Sequence, residues 1–137
     1  MKDDVVGKVA GAKGDPLKMA EDDWNHAWQT DFMSAVRMAG RLGPSMCDRR
    51  SGHMVFVTSE NAAQPYSDET VYNCAKASLL SFAKSIAMAH GGSGLRVNCV
   101  APGPTDTPML SAESMSPEWR AKESRNPLGR IGTAEEI

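Results

Sequence analysis

The sequence predicts an α/β fold built on parallel strands, and three stretches carry that prediction. Residues 53–57, His-Met-Val-Phe-Val, are an apolar run of strand length without alternation. Such a run suits a parallel strand covered on both faces. In residues 71–90, Ala75, Leu79, Phe82, Ala83, Ile86 and Ala87 recur at helical spacing, and Gly91-Gly92-Ser93-Gly94 follows as a stop. Residues 95–101 return to a strand pattern. Strand, helix and strand in that order suit a parallel sheet.

The remaining elements follow in order. Residues 4–12 make a short strand with a glycine turn, or else an irregular N-terminus. Residues 13–23 read as a loop with Gly14 and Pro16, and residues 21–38 as a helix led by Glu21, Asp22 and Asp23. Trp24, Trp28, Phe32, Ala35, Val36 and Ala39 form its apolar stripe. Gly43-Pro44 is expected to break the chain before a polar loop. The strand spans residues 53–58, and residues 60–71 form a loop punctuated by Pro65. Glu60 and Tyr66 in that loop are either substrate contacts or plain exposed residues. After the 95–101 strand, Pro102-Gly103 turns the chain. Ser116-Pro117-Glu118 opens a short helix, and Thr133 with Glu136 forms a capping box at another helix start.

Composition narrows the function. A chain of 137 residues with 41% hydrophobic content suits one domain, residues 1–137. A net charge of −2, without a basic run, gives no electrostatic case for nucleic acid. Cys47, Cys74 and Cys99 are widely spaced and odd in number, which favours reduced thiols in a cytoplasmic protein over disulfides or a zinc site. No apolar run approaches the roughly 20 residues of a membrane span, so no membrane partner is expected. No metal site is expected either.

The chemistry concentrates around Ser59, Tyr72 and Lys76. Ser59 ends the first predicted strand, Tyr72 opens the long helix, and Lys76 lies four residues on, above Tyr72 on the same face. In open α/β sheets, ligands bind at the carboxyl edge where such residues meet. A tyrosine's ordinary pKa near ~10 is too high for a base at neutral pH. A lysine cation about 5 Å away, at an effective dielectric near 20, favours the phenolate by roughly 3 kcal/mol, or about 2 pKa units. The tyrosine then shuttles a proton near neutrality, and the serine hydroxyl holds a carbonyl or alcohol oxygen. Together they suit proton transfer coupled to hydride transfer at a carbinol carbon.

These residues carry a resemblance. Ser59, thirteen residues before Tyr72-x-x-x-Lys76, resembles the active site of the short-chain dehydrogenase/reductase family. The segment 96–109, with its Pro102-Gly103 turn and Thr105-Asp106-Thr107, and the closing 127–132 segment, Pro-Leu-Gly-Arg-Ile-Gly, are similar to that family too. The resemblance implies a Rossmann-like, doubly wound parallel sheet of which about three strands are retained. The cofactor half with its glycine loop and the last strand have no counterpart. It implies NAD or NADP as cofactor and a small alcohol or carbonyl as substrate. Tyr72 is then the acid/base, Lys76 lowers its pKa and holds ribose, and Ser59 binds the substrate oxygen. Pro102, Gly103 and the Thr105 backbone lie against the nicotinamide, and the Thr107 hydroxyl reaches its carboxamide. The helices of Trp24 and Tyr72 pair between subunits.

Two departures matter. Lys8 and Val9 stand where the family has two asparagines. Asp31, seven residues after Trp24, stands where the family has an asparagine that supports the lysine through water. Asp31 either counters the lysine's field on the tyrosine or is a solvated helix charge. No glycine loop follows an N-terminal strand, so dinucleotide binding by these residues alone is expected to be weak or absent. The leading expectation is a nicotinamide-dependent oxidoreductase, present in part, with the isolated chain inactive. The alternative is a non-catalytic remnant that acts by helix-mediated association.

Overall fold

The computed structural model describes residues 12–108 and 116–137. The strand expected at 4–12 lies outside them, save for Ala12, which is in no strand. The described residues up to Ala101 form one compact unit, and those from Pro102 onward belong to another.

In the first unit, α1 (Glu21–Ala27) runs into a π-helical stretch (Trp28–Met33) and on into α2 (Ser34–Asp48). Three carboxylates, Glu21, Asp22 and Asp23, occupy the first turn of α1, where its dipole favours them. The helical run passes through Gly43-Pro44, where the sequence predicts a break, and Pro44 sits inside α2. Proline forfeits one hydrogen bond, to the carbonyl four residues back at Gly40, but Gly40 is exposed and open to water. Packing offsets the loss: Gly43 is buried, 3.4 Å from Met54 Cε to where a Cβ would stand, and the Met46 side chain covers Gly52.

β1 (Gly52–Val57) pairs in parallel with β2 (Leu95–Val100), from Gly52 opposite Leu95 to Val57 opposite Val100. α3 (Thr70–His90) is the crossover between them. Phe56, Leu79 and Ala83 are the buried centre, with Phe32, Ala35, Met54, Phe82 and Val97 packed around them. Phe82 stands edge-on to both Phe32 and Phe56, at 5.9 and 6.0 Å between ring centres. Both helical arms therefore cover the same face of the strand pair. The opposite face corrects the expectation of a strand covered on both sides: Val55 is 65% exposed and Val57 54%.

The two strands enter side by side. Gly94 has φ of +80°, and a Cβ there would run into the Arg50 carbonyl. Arg50, itself at φ +53°, donates from Nη2 to the Gly92 carbonyl at 3.0 Å.

In the second unit, β3 (Thr105–Asp106) pairs in parallel with β4 (Gly132–Thr133). α4 (Pro117–Glu123) is capped by Ser116, whose hydroxyl accepts from Trp119 N–H at 3.2 Å. Thr133 and Glu136 form the predicted capping box over a 3₁₀ turn (Ala134–Glu136). Arg130 donates to both Glu136 oxygens, at 2.8 and 2.6 Å, and holds that carboxyl down to about 2. No helix among the described residues is long and apolar enough to cross a membrane. Cys47, Cys74 and Cys99 are unpaired.

Candidate active site

Ser59 is positioned by the end of the ladder. Thr58 donates to the Val100 carbonyl twice, from its N–H at 2.8 Å and its hydroxyl at 2.9 Å. This carries the parallel pairing one residue past β1. Ser59 follows in extended backbone and caps the 3₁₀ turn Glu60–Ala62, accepting from the Asn61 N–H at 3.2 Å. It is buried. Tyr72 lies in the first turn of α3, close enough to Ser59 for that hydroxyl to act on its phenol. The structure thus brings the predicted serine and phenol together.

Lys76 sits one helical turn on, with a different geometry from the one expected. Its Nζ donates to the Val57 carbonyl at 3.1 Å and lies 5.5 Å from the centre of the Tyr72 ring. The ammonium therefore faces the ring and the strand end. Burial lowers the Lys76 pKa, opposed by the charge of Asp31.

The predicted fall of the tyrosine pKa is not what the structure shows. Burial pushes Tyr72 above its ordinary value. The Ser59 hydrogen bond pulls the other way, but the charges of Asp31, Glu69 and Glu60 add to the rise. Burial is the largest cause and outweighs the serine, and the three carboxylates add to it. The lysine's expected field on the hydroxyl is not among the causes of the shift.

Asp31 belongs to the π-helical stretch and is half-buried, so it is not a solvated helix charge. Its Oδ2 is buried with no hydrogen-bond partner. Burial raises its pKa, against the charges of Lys76 and His26. Asp31 and Lys76 line one cleft of about 440 Å³, between α2 and β1, together with Thr30, Ser34, Val57 and Leu79.

A polar network that the sequence reading missed fixes the Ser59 loop. Asn61 Nδ2 donates to Glu69 Oε2 and to Asn73 Oδ1, both at 2.9 Å. Asn73 Nδ2 donates to the Tyr66 carbonyl at 2.7 Å, and Lys13 pairs with Glu69 at 2.5 Å. Asn61 and Asn73 are both buried. The available signal was Asn73 beside Tyr72, an amide in the first turn of the helix. Glu60 and Tyr66, read as possible substrate contacts, bond to each other, with the Tyr66 hydroxyl donating at 3.0 Å. They line a second cleft with Pro65 and Ala101.

The other predicted cofactor residues lie in the second unit. The Thr105 hydroxyl donates to the Gly103 carbonyl at 2.9 Å, which tightens the Pro102-Gly103 turn ahead of β3. Thr107 is half-buried just after β3.

Comparison with known proteins decides the family. A family model described as enoyl-(acyl carrier protein) reductase matches residues 3–137. The chain belongs to the short-chain dehydrogenase/reductase family. A 3-oxoacyl-(acyl-carrier-protein) reductase of Chlamydia muridarum (strain MoPn / Nigg) is 34% identical over 138 residues, covering 98% of this chain and 54% of the relative. A solved 3-oxoacyl (acyl-carrier-protein) reductase of Agrobacterium tumefaciens C58, with NADP bound, has a TM-score of 0.84 at 27% identity. The overlap covers 92% of this chain and 50% of that one. L-sorbose reductase of Gluconobacter frateurii, complexed with NADPH and L-sorbose, has a TM-score of 0.79 at 29% identity, covering 92% and 52%. The chain spans about half the length of the curated relatives it matches. Its architecture, with short parallel sheets, is a partial Rossmann-like fold.

Proposed function

We propose that this site interconverts a carbonyl and an alcohol, with NAD or NADP as hydride partner. The observation that carries the reading is the approach of Tyr72, in the first turn of α3, to Ser59 at the end of β1, with Lys76 one turn along the same helix. Ser59 holds the substrate oxygen. Tyr72 transfers the proton to or from it. Its surroundings favour the protonated phenol, so Tyr72 carries the proton near neutrality.

The described residues fit one end of the cofactor. A lysine ammonium has three donors and Val57 takes one, so Lys76 can also hold ribose hydroxyls. Pro102, Gly103, Thr105 and Thr107 belong to the nicotinamide end by family resemblance. When bound, the nicotinamide supplies or accepts the hydride. The pyrophosphate end does not fit. Helix N-termini bind phosphate through free N–H groups, but α1 opens with three carboxylates and α3 is preceded by Glu69. These features favour a second reading, that the chain alone binds no dinucleotide and acts only by association.

The test joins this chain to the glycine-loop half of the Chlamydia relative and follows nicotinamide absorbance with a 3-oxoacyl thioester and with simple ketones. We expect turnover, and Tyr72→Phe should lower it by the ~10²- to 10⁴-fold typical of lost acid–base catalysis. A folded, dinucleotide-binding hybrid that turns over nothing, or whose Phe variant keeps its rate, would sink the reading. Titrating the unmodified chain with NADH and NADPH separates the two readings.

A further inference from the structure

We propose that Glu60 and Tyr66 form a specificity-determining pair beside this site and select ketones that carry hydroxyl groups next to the carbonyl. The proposal rests on the reading of Ser59 as the holder of the substrate oxygen, and its test needs no turnover.

The pair stands at the carboxyl edge of both strands. Glu60 directly follows Ser59, just past Thr58, whose N–H closes the ladder on the Val100 carbonyl. Ala101 follows Val100 at the end of β2. A cleft of about 680 Å³ opens between these strand ends, lined by Glu60, Ala63, Gln64, Pro65, Tyr66 and Ala101. That is room for a small ligand.

The polar walls of the cleft are fixed before anything binds. The Glu60 carbonyl accepts from the Ala63 and Gln64 N–H groups, both at 2.9 Å. The Tyr66 carbonyl accepts from the Glu69 N–H at 3.2 Å and from Asn73 Nδ2 at 2.7 Å, which ties it to the first turn of the Tyr72 helix. Across the loop the Tyr66 hydroxyl donates to Glu60 Oε1 at 3.0 Å. A carboxylate offers about four acceptor positions and Tyr66 takes one. The exposed Gln64 amide adds donors and an acceptor. A hydroxyl can donate to Glu60 and accept from Gln64 at once. A ketone without hydroxyls strips water from Glu60 and returns nothing, and a site built to bond a hydroxyl rejects the analogue that lacks it. An anionic ketone meets a like charge.

In the reductive direction the carbonyl carbon takes a hydride from the reduced nicotinamide, and its oxygen takes the Tyr72 proton. The product is a secondary alcohol beside the original hydroxyls, and the nicotinamide is left oxidised. Glu60 and Tyr66 take no part in that exchange.

The chain has two tyrosines, Tyr66 and Tyr72, so ring-carbon labelling gives two resonances, and Tyr72→Phe assigns them. We would titrate the chain, without cofactor, with three ketones of four carbons: erythrulose, which has a hydroxyl on every carbon but the carbonyl, butanone, which has none, and the anion acetoacetate. The Tyr66 resonance should shift saturably with erythrulose, and the other two should bind at least about tenfold more weakly. Glu60→Gln keeps an acceptor for Tyr66 and removes the charge. It should weaken erythrulose binding about tenfold and bring acetoacetate level with butanone. If the Glu60–Tyr66 bond only holds the loop, Glu60→Gln will lower the melting temperature and leave the ratios among the three ketones unchanged, which would overturn the proposal. If that variant does not fold, the unsubstituted chain decides: equal affinity for erythrulose and butanone, or no response of Tyr66 to any of the three, would overturn it. Failure of hydride transfer in the hybrid enzyme would leave this preference standing, and loss of the preference would leave the oxidoreductase reading standing.

Discussion

Asn61 donates to Glu69 and Asn73 through one side-chain nitrogen, while its own N–H donates to Ser59 Oγ and its Oδ1 stands 3.1 Å from that oxygen. One side chain thus ties the serine to the first turn of the tyrosine's helix. Asn61→Ala would strip a buried donor from Glu69 and Asn73 and leave the Asn73 oxygen without it. Removing one partner from buried polar groups costs about 1–3 kcal/mol. We expect a loss of that size in urea denaturation, with the slope unchanged, and a displaced Tyr72 resonance. A variant as stable as the parent would mean that the loop holds Ser59 by backbone alone. The sequence made Ser59, Tyr72 and Lys76 legible because their spacing encodes a strand end and one helical turn. It left Asn61, Asn73 and Glu69 silent, because an amide's value lies in which distant groups it meets. The tyrosine's pKa was misjudged for the same reason: spacing shows Lys76, while burial and three carboxylates are tertiary facts.

The helices and strands follow their local signals closely. α3 begins at Thr70 and ends at His90, where apolar periodicity and Gly91 place its limits, and β1 and β2 fall on the two apolar runs. The failures are at α2 and at the faces of β1. Pro44 reads as a breaker, but helix propensity yields to packing when Gly43, Met46 and Leu42 lie along β1. The π-helical stretch has no sequence signature. Gly94 is the clearest case in which local signal and structure agree, since its positive φ and its contact with the Arg50 carbonyl both exclude a side chain. In Gly94→Ala the left-handed conformation alone costs roughly 1–2 kcal/mol. Moving the Arg50 backbone away would loosen the shared entry of the two strands. We expect a total above about 2 kcal/mol in denaturation, with the amides of Leu95 and His53 losing protection from hydrogen exchange first. Unchanged protection there would show that strand register is set elsewhere.

At the scale of the whole molecule, the described residues leave Val55 and Val57 of β1 largely exposed. The two alternate along β1 with the buried Phe56, although both also border the α2–β1 cleft, and β1 has no second strand partner among the described residues. An uncovered face and a free edge both favour association with another chain. The helix surfaces expected to mediate contact are partly used within the chain, since α3 packs on α1 and the π-helical stretch, although Met88 remains 87% exposed. We therefore predict that the purified chain self-associates and that the open strand face carries most of the contact. Light scattering across a concentration series should show a mass rising above the 14.7 kDa of one chain. Val55→Lys places a charge on that face without touching the core, and should weaken association about tenfold or more, an effect of at least ~1.4 kcal/mol. Met88→Lys on α3 is the comparison. If Met88→Lys disperses the assembly and Val55→Lys does not, the contact runs through the helices. A monodisperse monomer at every concentration would overturn the prediction.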